Sequence, residues 1–241
     1  MPLEFSNENH FARSEQSLSF FLECVEASSS TYKSRPHPFF TSYVPGAVKK
    51  SKKSNDFFSA FAITKKTEKP AKPKARVYLA QAPIADLPQG LRDDVPTPSI
   101  VLEAGKGDVY DSSIWLGEAP TYTPLHRDPN PNLFVQLAGR KMVRMFTPEV
   151  GRGIFAKVQE QVEGTASASM RGEEMMMGVE KTALEEEVWG ESDNEFRGSA
   201  WEAELEAGDG LFIPKGWWHS VRGTGEGMTG SVRAAKRDCV V

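Results

Sequence analysis

Short apolar runs cut by glycine and proline constrain this chain most. In "LEAGDGLFIPKGWWHSV" (205–221), Ala-Gly-Asp-Gly marks a turn, Leu-Phe-Ile-Pro a buried strand, and "KGWWHSV" another strand carrying the last histidine. "NLFVQLAGRKMVRMFTP" (132–148) is two β-like runs joined by Ala-Gly-Arg, which reads as a hairpin. "ARVYLAQAPI" (75–84) and "DVYDSSIWLG" (108–117) are further strand candidates. Many short strands separated by such turns imply a β-sandwich or barrel.

Other segments interrupt this pattern. In "SEQSLSFFLECVEA" (14–27), Ser14 or Ser17 offers an N-cap, and Leu18, Phe21, Leu22 and Val25 recur at helical spacing. Residues 33–76 are rich in Lys, Ser and Pro and read as a flexible basic loop, solvated rather than dedicated to nucleic acid. "LPQGLRDDVPTPSIV" reads as turn, short helix and extended segment. Residues 149–200 turn to Glu, Gly, Met and Ser, which predicts partial helix in a long inserted excursion, of the kind that often forms a lid or an interaction surface.

Bulk properties exclude little. At 241 residues the chain has room for one large mainly-β domain, and a net charge of -4 gives no reason to expect nucleic acid or a membrane surface as partner. The two cysteines, Cys24 and Cys239, read as reduced thiols, which favours a cytoplasmic or nuclear setting. No apolar run is long enough to span a bilayer, and the N-terminus lacks the pattern of a signal peptide.

"TPLHRDPNPNLFVQLAGRK" (123–141) carries the chemistry. If His126 and Asp128 lie on or beside one strand, at i and i+2 they point to the same face. His219, on a later strand, completes the set from the opposite wall of a barrel. Two imidazoles and one carboxylate leave three positions open on an octahedral ion, which suits Fe(II) that must also bind a bidentate co-substrate and oxygen. The plainer alternative makes His126 a turn cap before "DPNP", Asp128 an Asx-turn residue and His219 a core histidine beside two tryptophans. Lys141 ends an apolar run, where a buried ammonium is costly unless a carboxylate pairs with it. A metal at one depth and a cation deeper would hold a dicarboxylate at both ends, whereas a lysine snorkelling from a strand end would hold nothing.

"YLAQ" (78–81), "SSIWLGEAPTYTPLHRDPNPNLFVQLAGRKMVRMFTP" (112–148) and "LEAGDGLFIPKGWWHSV" (205–221) together resemble the JmjC-domain, cupin-like family of 2-oxoglutarate- and Fe(II)-dependent oxygenases. They resemble most the small hydroxylase-type members, which include the factor-inhibiting-HIF asparaginyl hydroxylase. The pieces fall in family order over much of residues 75–232. The resemblance implies a double-stranded β-helix (a jelly roll) with flanking helices, forming a single domain over residues 1–241. It makes His126, Asp128 and His219 the iron ligands and Lys141 the partner of the distal carboxylate of 2-oxoglutarate. Tyr78 and Thr123 match positions whose hydroxyls help hold that carboxylate, and Asn132 and Trp115 match positions lining the pocket. Trp217 and Trp218 read as core packing.

Two departures accompany the resemblance. Both ends look incomplete relative to the family, and Arg233 in "GSVRAAKRDCVV" stands where an amide is expected, with the following aromatic pair absent. The implied activity is hydroxylation of a protein side chain with Fe(II), 2-oxoglutarate and dioxygen, with no membrane involvement and nucleic acid a lesser prospect. The alternative is a non-catalytic or truncated cupin-like binding module. A cupin isomerase or sugar-binding module is disfavoured, because those usually use more histidines. His10 and His37 read as surface turns.

Overall fold

The structure is a computed structural model and describes residues 1–6, 11–29, 76–104, 109–164, 176–191 and 196–236. The fold is mainly β. Among the described residues the strands form two antiparallel sheets. The larger runs in the order β2 (Phe11–Glu15), β1 (Pro2–Ser6), β3 (Arg76–Pro83), β4 (Val109–Glu118), β11 (Met228–Lys236), β6 (Asn132–Ala138), β9 (Gly210–Ile213). The smaller runs β5 (Thr121–Arg127), β10 (Trp218–Thr224), β7 (Arg140–Phe146), β8 (Trp201–Leu205). Strands β4 to β7 alternate between the sheets, as do β8 to β11, and this gives the jelly roll that the family resemblance implied, within the sandwich-or-barrel class expected from the turn-punctuated runs.

Residues 132–148 do not form a hairpin. β6 pairs with β11 and β9, whereas β7 pairs with β10 and β8, in the other sheet. The chain turns the corner at Gly139, whose φ of 64° favours glycine, and a Cβ there would stand 2.6 Å from the Met228 carbonyl oxygen. A hairpin turn and a corner between sheets share the same local signal, two β-like runs around a glycine, so the sequence pattern alone does not separate them.

Period-two alternation divides the larger sheet. Val232 of β11 joins Leu3, Phe5, Leu79 and Ile114 in an apolar cluster with Phe21 of α1 (Leu18–Ser29). The intervening Ser231 and Arg233 face the other way, into the roll. α1 starts where Ser17 Oγ accepts a bond from the Phe20 amide at 3.1 Å. The segment expected to run extended after the first short helix, α2 (Gln89–Asp93), instead forms a second, α3 (Ser99–Glu103). Pro98 precedes its first residue, a place where a missing amide hydrogen costs nothing.

The excursion supplies α4 (Pro148–Gln161) and α5 (Gly178–Trp189). Ile154, Phe155, Val158, Leu184 and Val188 of these helices are buried with Leu125, Phe146 and Trp218 of the smaller sheet. These described helices therefore cover that sheet's outer face, and no residue lining the pocket described below comes from them. Trp218 is fully buried there, and Trp217 packs against a third cluster around Phe134, Val143 and Ile213. Gly151 lets α4 lie directly on the Trp218 indole, where a Cβ would overlap the ring. Gly151→Ala should therefore destabilise the protein by about 1–3 kcal/mol, despite the better helix propensity of alanine, as a lowered melting temperature would show.

The basic stretch up to residue 75, His10, His37 and Cys239 lie outside the described residues. Cys24 is a free thiol. Among the described residues no helix is long and apolar enough to cross a membrane.

Candidate metal centre and co-substrate pocket

A bulge in β5 builds the site. His219 of β10 lies opposite His126, and Val221 lies opposite Thr123, so two steps along β10 match three along β5. The extra residue falls at Pro124–Leu125, on an edge strand, where a missing amide donor is tolerated. It reverses the side-chain alternation, so Thr123 and His126 both line the pocket while Leu125 between them is buried against the helices. His219 thus reaches the site from the neighbouring strand of the same sheet. The opposite wall expected for it is formed instead by Tyr78, Trp115, Asn132, Ser231 and Arg233 of the larger sheet.

His126, Asp128 and His219 each present a ligand-type atom, all within 4.8 Å of one another. The His126 ring stands 4.2 Å from the His219 ring, centre to centre. His126 Nδ1 lies 2.8 Å from the Pro124 carbonyl oxygen, and His219 Nδ1 lies 3.5 Å from the Trp217 carbonyl oxygen. A carbonyl only accepts, so each Nδ1 carries a hydrogen and each ring offers Nε2 as its ligand atom. His219 Nε2 faces Asp128 Oδ2 at 3.8 Å.

Burial pushes the His219 imidazole down to about 3, helped by the His126 imidazole beside it. Burial raises the Asp128 carboxyl, but the neighbouring His219, His126 and Arg233 and the Asn132 amide outweigh it and hold the group at about 2. Because His219 is neutral well above pH 3, the lasting positive partner of Asp128 at neutral pH is Arg233, whose Nη1 donates to Oδ1 at 2.8 Å. Asn132 Nδ2 donates to the other oxygen at 3.0 Å. Two imidazoles and one carboxylate converge, and their mixed N and O donors suit a borderline ion such as Fe(II). The donor set therefore fits iron.

Lys141 lies deeper, 1% exposed. Its Nζ donates to Ser231 Oγ at 2.7 Å and to Tyr78 Oη at 3.4 Å, and among the described residues no carboxylate pairs with it. Burial lowers its ammonium to about 7 and raises the Tyr78 phenol far above its ordinary value. The pocket, about 420 Å3 including its open mouth, runs from the three ligand-type residues to this ammonium. Every residue singled out from the sequence (Tyr78, Trp115, Thr123, His126, Asp128, Asn132, Lys141 and His219) lines it. Phe134, Val221 and Ser231 also line it and were not singled out. Ser231 carried no signal of its own in the sequence; its place follows from Lys141, whose Nζ donates to it.

A jelly roll with two histidines and an aspartate converging between its sheets defines a class, the metal-binding cupins. The chain belongs to the cupin-like domain family, which matches residues 4–234. It is 30% identical over 165 residues to lysine-specific demethylase JMJ30 of Arabidopsis thaliana, covering 68% of this chain and 35% of that protein. It is 29% identical to lysine-specific demethylase 8 of Danio rerio, over 60% of this chain and 32% of that one. A JmjC domain-containing protein D of Dictyostelium discoideum is 28% identical over 60% of this chain and 32% of its own length. The chain thus spans about a third of the length of these curated relatives. JmjC members of the family are oxygenases that use Fe(II) and 2-oxoglutarate.

Proposed function

We propose that this chain is a single cupin-like domain over residues 1–241 and acts as an Fe(II)- and 2-oxoglutarate-dependent oxygenase on a protein side chain. His126, Asp128 and His219 hold the ion. Lys141, with the Tyr78 and Thr123 hydroxyls, takes the distal carboxylate of 2-oxoglutarate. Asn132 fixes the rotamer of Asp128, and Trp115 walls the pocket. The observation that carries this reading is the pairing of three converging ligand atoms with a buried ammonium that, among the described residues, no carboxylate pairs with.

When bound, Fe(II) would supply the centre at which dioxygen oxidises 2-oxoglutarate to succinate and carbon dioxide and a substrate C–H to C–OH. The protein's own part is positional. The carbonyls of Pro124 and Trp217 set both imidazole tautomers, the β5 bulge aligns Thr123 with His126, and the buried Lys141 selects a ligand ending in a carboxylate. Two of the relatives are named as lysine demethylases. Loss of an N-methyl group begins with hydroxylation of its carbon, so the same site serves either outcome, and we favour side-chain hydroxylation. A second reading, a non-catalytic binding module, draws on Arg233, which already engages Asp128.

Succinate release from 2-oxoglutarate, with Fe(II) added under anaerobic conditions before oxygen, separates the two. The oxygenase reading expects release by the full chain and none from His126→Ala. Equal background from both proteins would favour the binding module.

A further inference from the structure

Arg233 is a charged group that a two-histidine, one-carboxylate metal site does not require. Its Nη1 holds Asp128 Oδ1 at 2.8 Å, and its guanidinium stacks on Trp115, 5.3 Å from the ring centre. With Asn132 on Oδ2, both oxygens of the carboxylate already have donors, and one donor is a full positive charge. A divalent ion entering beside Asp128 must share that carboxylate with a cation at close range, in a pocket of reduced dielectric.

A second cation stands on the same wall. Ser231, which holds the Lys141 ammonium, and Arg233 are two residues apart on one face of β11, roughly 7 Å along the strand. Arg233 and Lys141 thus set two cationic side chains against the single carboxylate of Asp128 in this pocket. A divalent ion alone would leave a large positive excess, and a dicarboxylate would remove most of it.

We propose that Arg233 makes metal binding conditional on a carboxylate ligand. This inference rests on the functional reading above. Without ligand, the guanidinium competes with the ion for Asp128. With a dicarboxylate in the pocket, the guanidinium passes to the ligand's metal-side carboxylate, and Asp128 Oδ1 is released to the ion. Arg233 is then a specificity residue for dianionic ligands and a positioning residue for the metal. Coupling of this kind is reciprocal: the ligand raises metal affinity by the factor by which the metal raises ligand affinity.

The test titrates the full chain with Mn(II), followed by loss of the free-ion electron paramagnetic resonance signal, with and without 2-oxoglutarate. Wild type is expected to bind Mn(II) about tenfold or more tightly when 2-oxoglutarate is present. Arg233→Asn is expected to bind Mn(II) alone about tenfold more tightly than wild type and to gain less from 2-oxoglutarate. Arg233→Lys, which keeps the charge, should retain much of the wild-type coupling and guards against a folding defect in the asparagine variant. Equal Mn(II) affinities and equal gains in wild type and Arg233→Asn would overturn the role of Arg233 while leaving the metal site standing. Absence of Mn(II) binding by all three proteins under both conditions would overturn the metal-site reading as well.

Discussion

Asp128→Ala is expected to abolish divalent-ion binding and to destabilise the fold, whereas His126→Ala abolishes binding at a smaller cost in stability. The difference follows from what each side chain touches. Loss of one of three ligands should reduce affinity by more than about 100-fold, since even residues that only orient ligands change it by 10–100-fold. Asp128 also neutralises Arg233, and the two side chains are 12% and 16% exposed. Removing one partner of a buried ion pair costs about 3 kcal/mol or more. His126 sits partly buried, and its Nδ1 contact is to the Pro124 carbonyl oxygen at the β5 bulge. Mn(II) titration and melting curves on both variants check the pair of effects. Unchanged Mn(II) affinity in either variant would remove that residue from the metal site.

The second large effect is a trade between stability and ligand binding at Lys141. Its ammonium is buried on two hydroxyls, and burial lowers it from its ordinary value to about 7. In the unfolded chain the same lysine stays protonated up to about pH 10.4. Between about pH 7 and that value the unfolded state therefore binds more protons than the folded one, so stability rises with pH across this window. At pH 7 and below the lysine costs the ligand-free fold on the order of 4 kcal/mol. Lys141→Met keeps much of the volume and removes the charge. It should raise the stability of the ligand-free protein at pH 7 by ~1–3 kcal/mol, after the loss of the contacts to Ser231 and Tyr78, and flatten the rise between pH 7 and 10.

The same substitution should eliminate 2-oxoglutarate binding. In wild type a bound carboxylate favours the ammonium form, so binding at pH 8 should take up close to one proton. Calorimetry in two buffers of different ionisation heat measures that uptake. A Lys141→Met protein that still binds 2-oxoglutarate with wild-type affinity would place the distal carboxylate elsewhere.

The β-rich class and the residues His126, Asp128 and Lys141 were legible in local patterns, whereas the jelly roll and the places of Tyr78, Thr123, Asn132 and Trp115 came from the family resemblance. Glycine and proline cut the apolar runs to strand length, and His126, Asp128 and Lys141 lie within one stretch around a strand. What was not legible depends on pairing between distant segments. The run around Gly139 looks like a hairpin until the partners of β6 and β7 are known. His219 faces His126 from the adjacent strand, because β10 returns beside β5. The β5 bulge left one hint, Pro124, a residue that interior strand positions reject. Ser231 stayed hidden because a serine in a strand carries no distinctive signal. Its role comes only from the lysine that β7 delivers to it. Arg233 was visible as a departure from the family pattern, but its contact with Asp128, 105 residues earlier, needed the fold.

Crystals of the full chain soaked with Mn(II) and 2-oxoglutarate, with anomalous data collected at the manganese edge, test the central claim most directly. A single strong peak is expected between the Nε2 atoms of His126 and His219 and the Asp128 carboxylate, with 2-oxoglutarate reaching from it to Lys141 Nζ. A peak elsewhere, or 2-oxoglutarate bound with its distal carboxylate away from Lys141, would contradict the account.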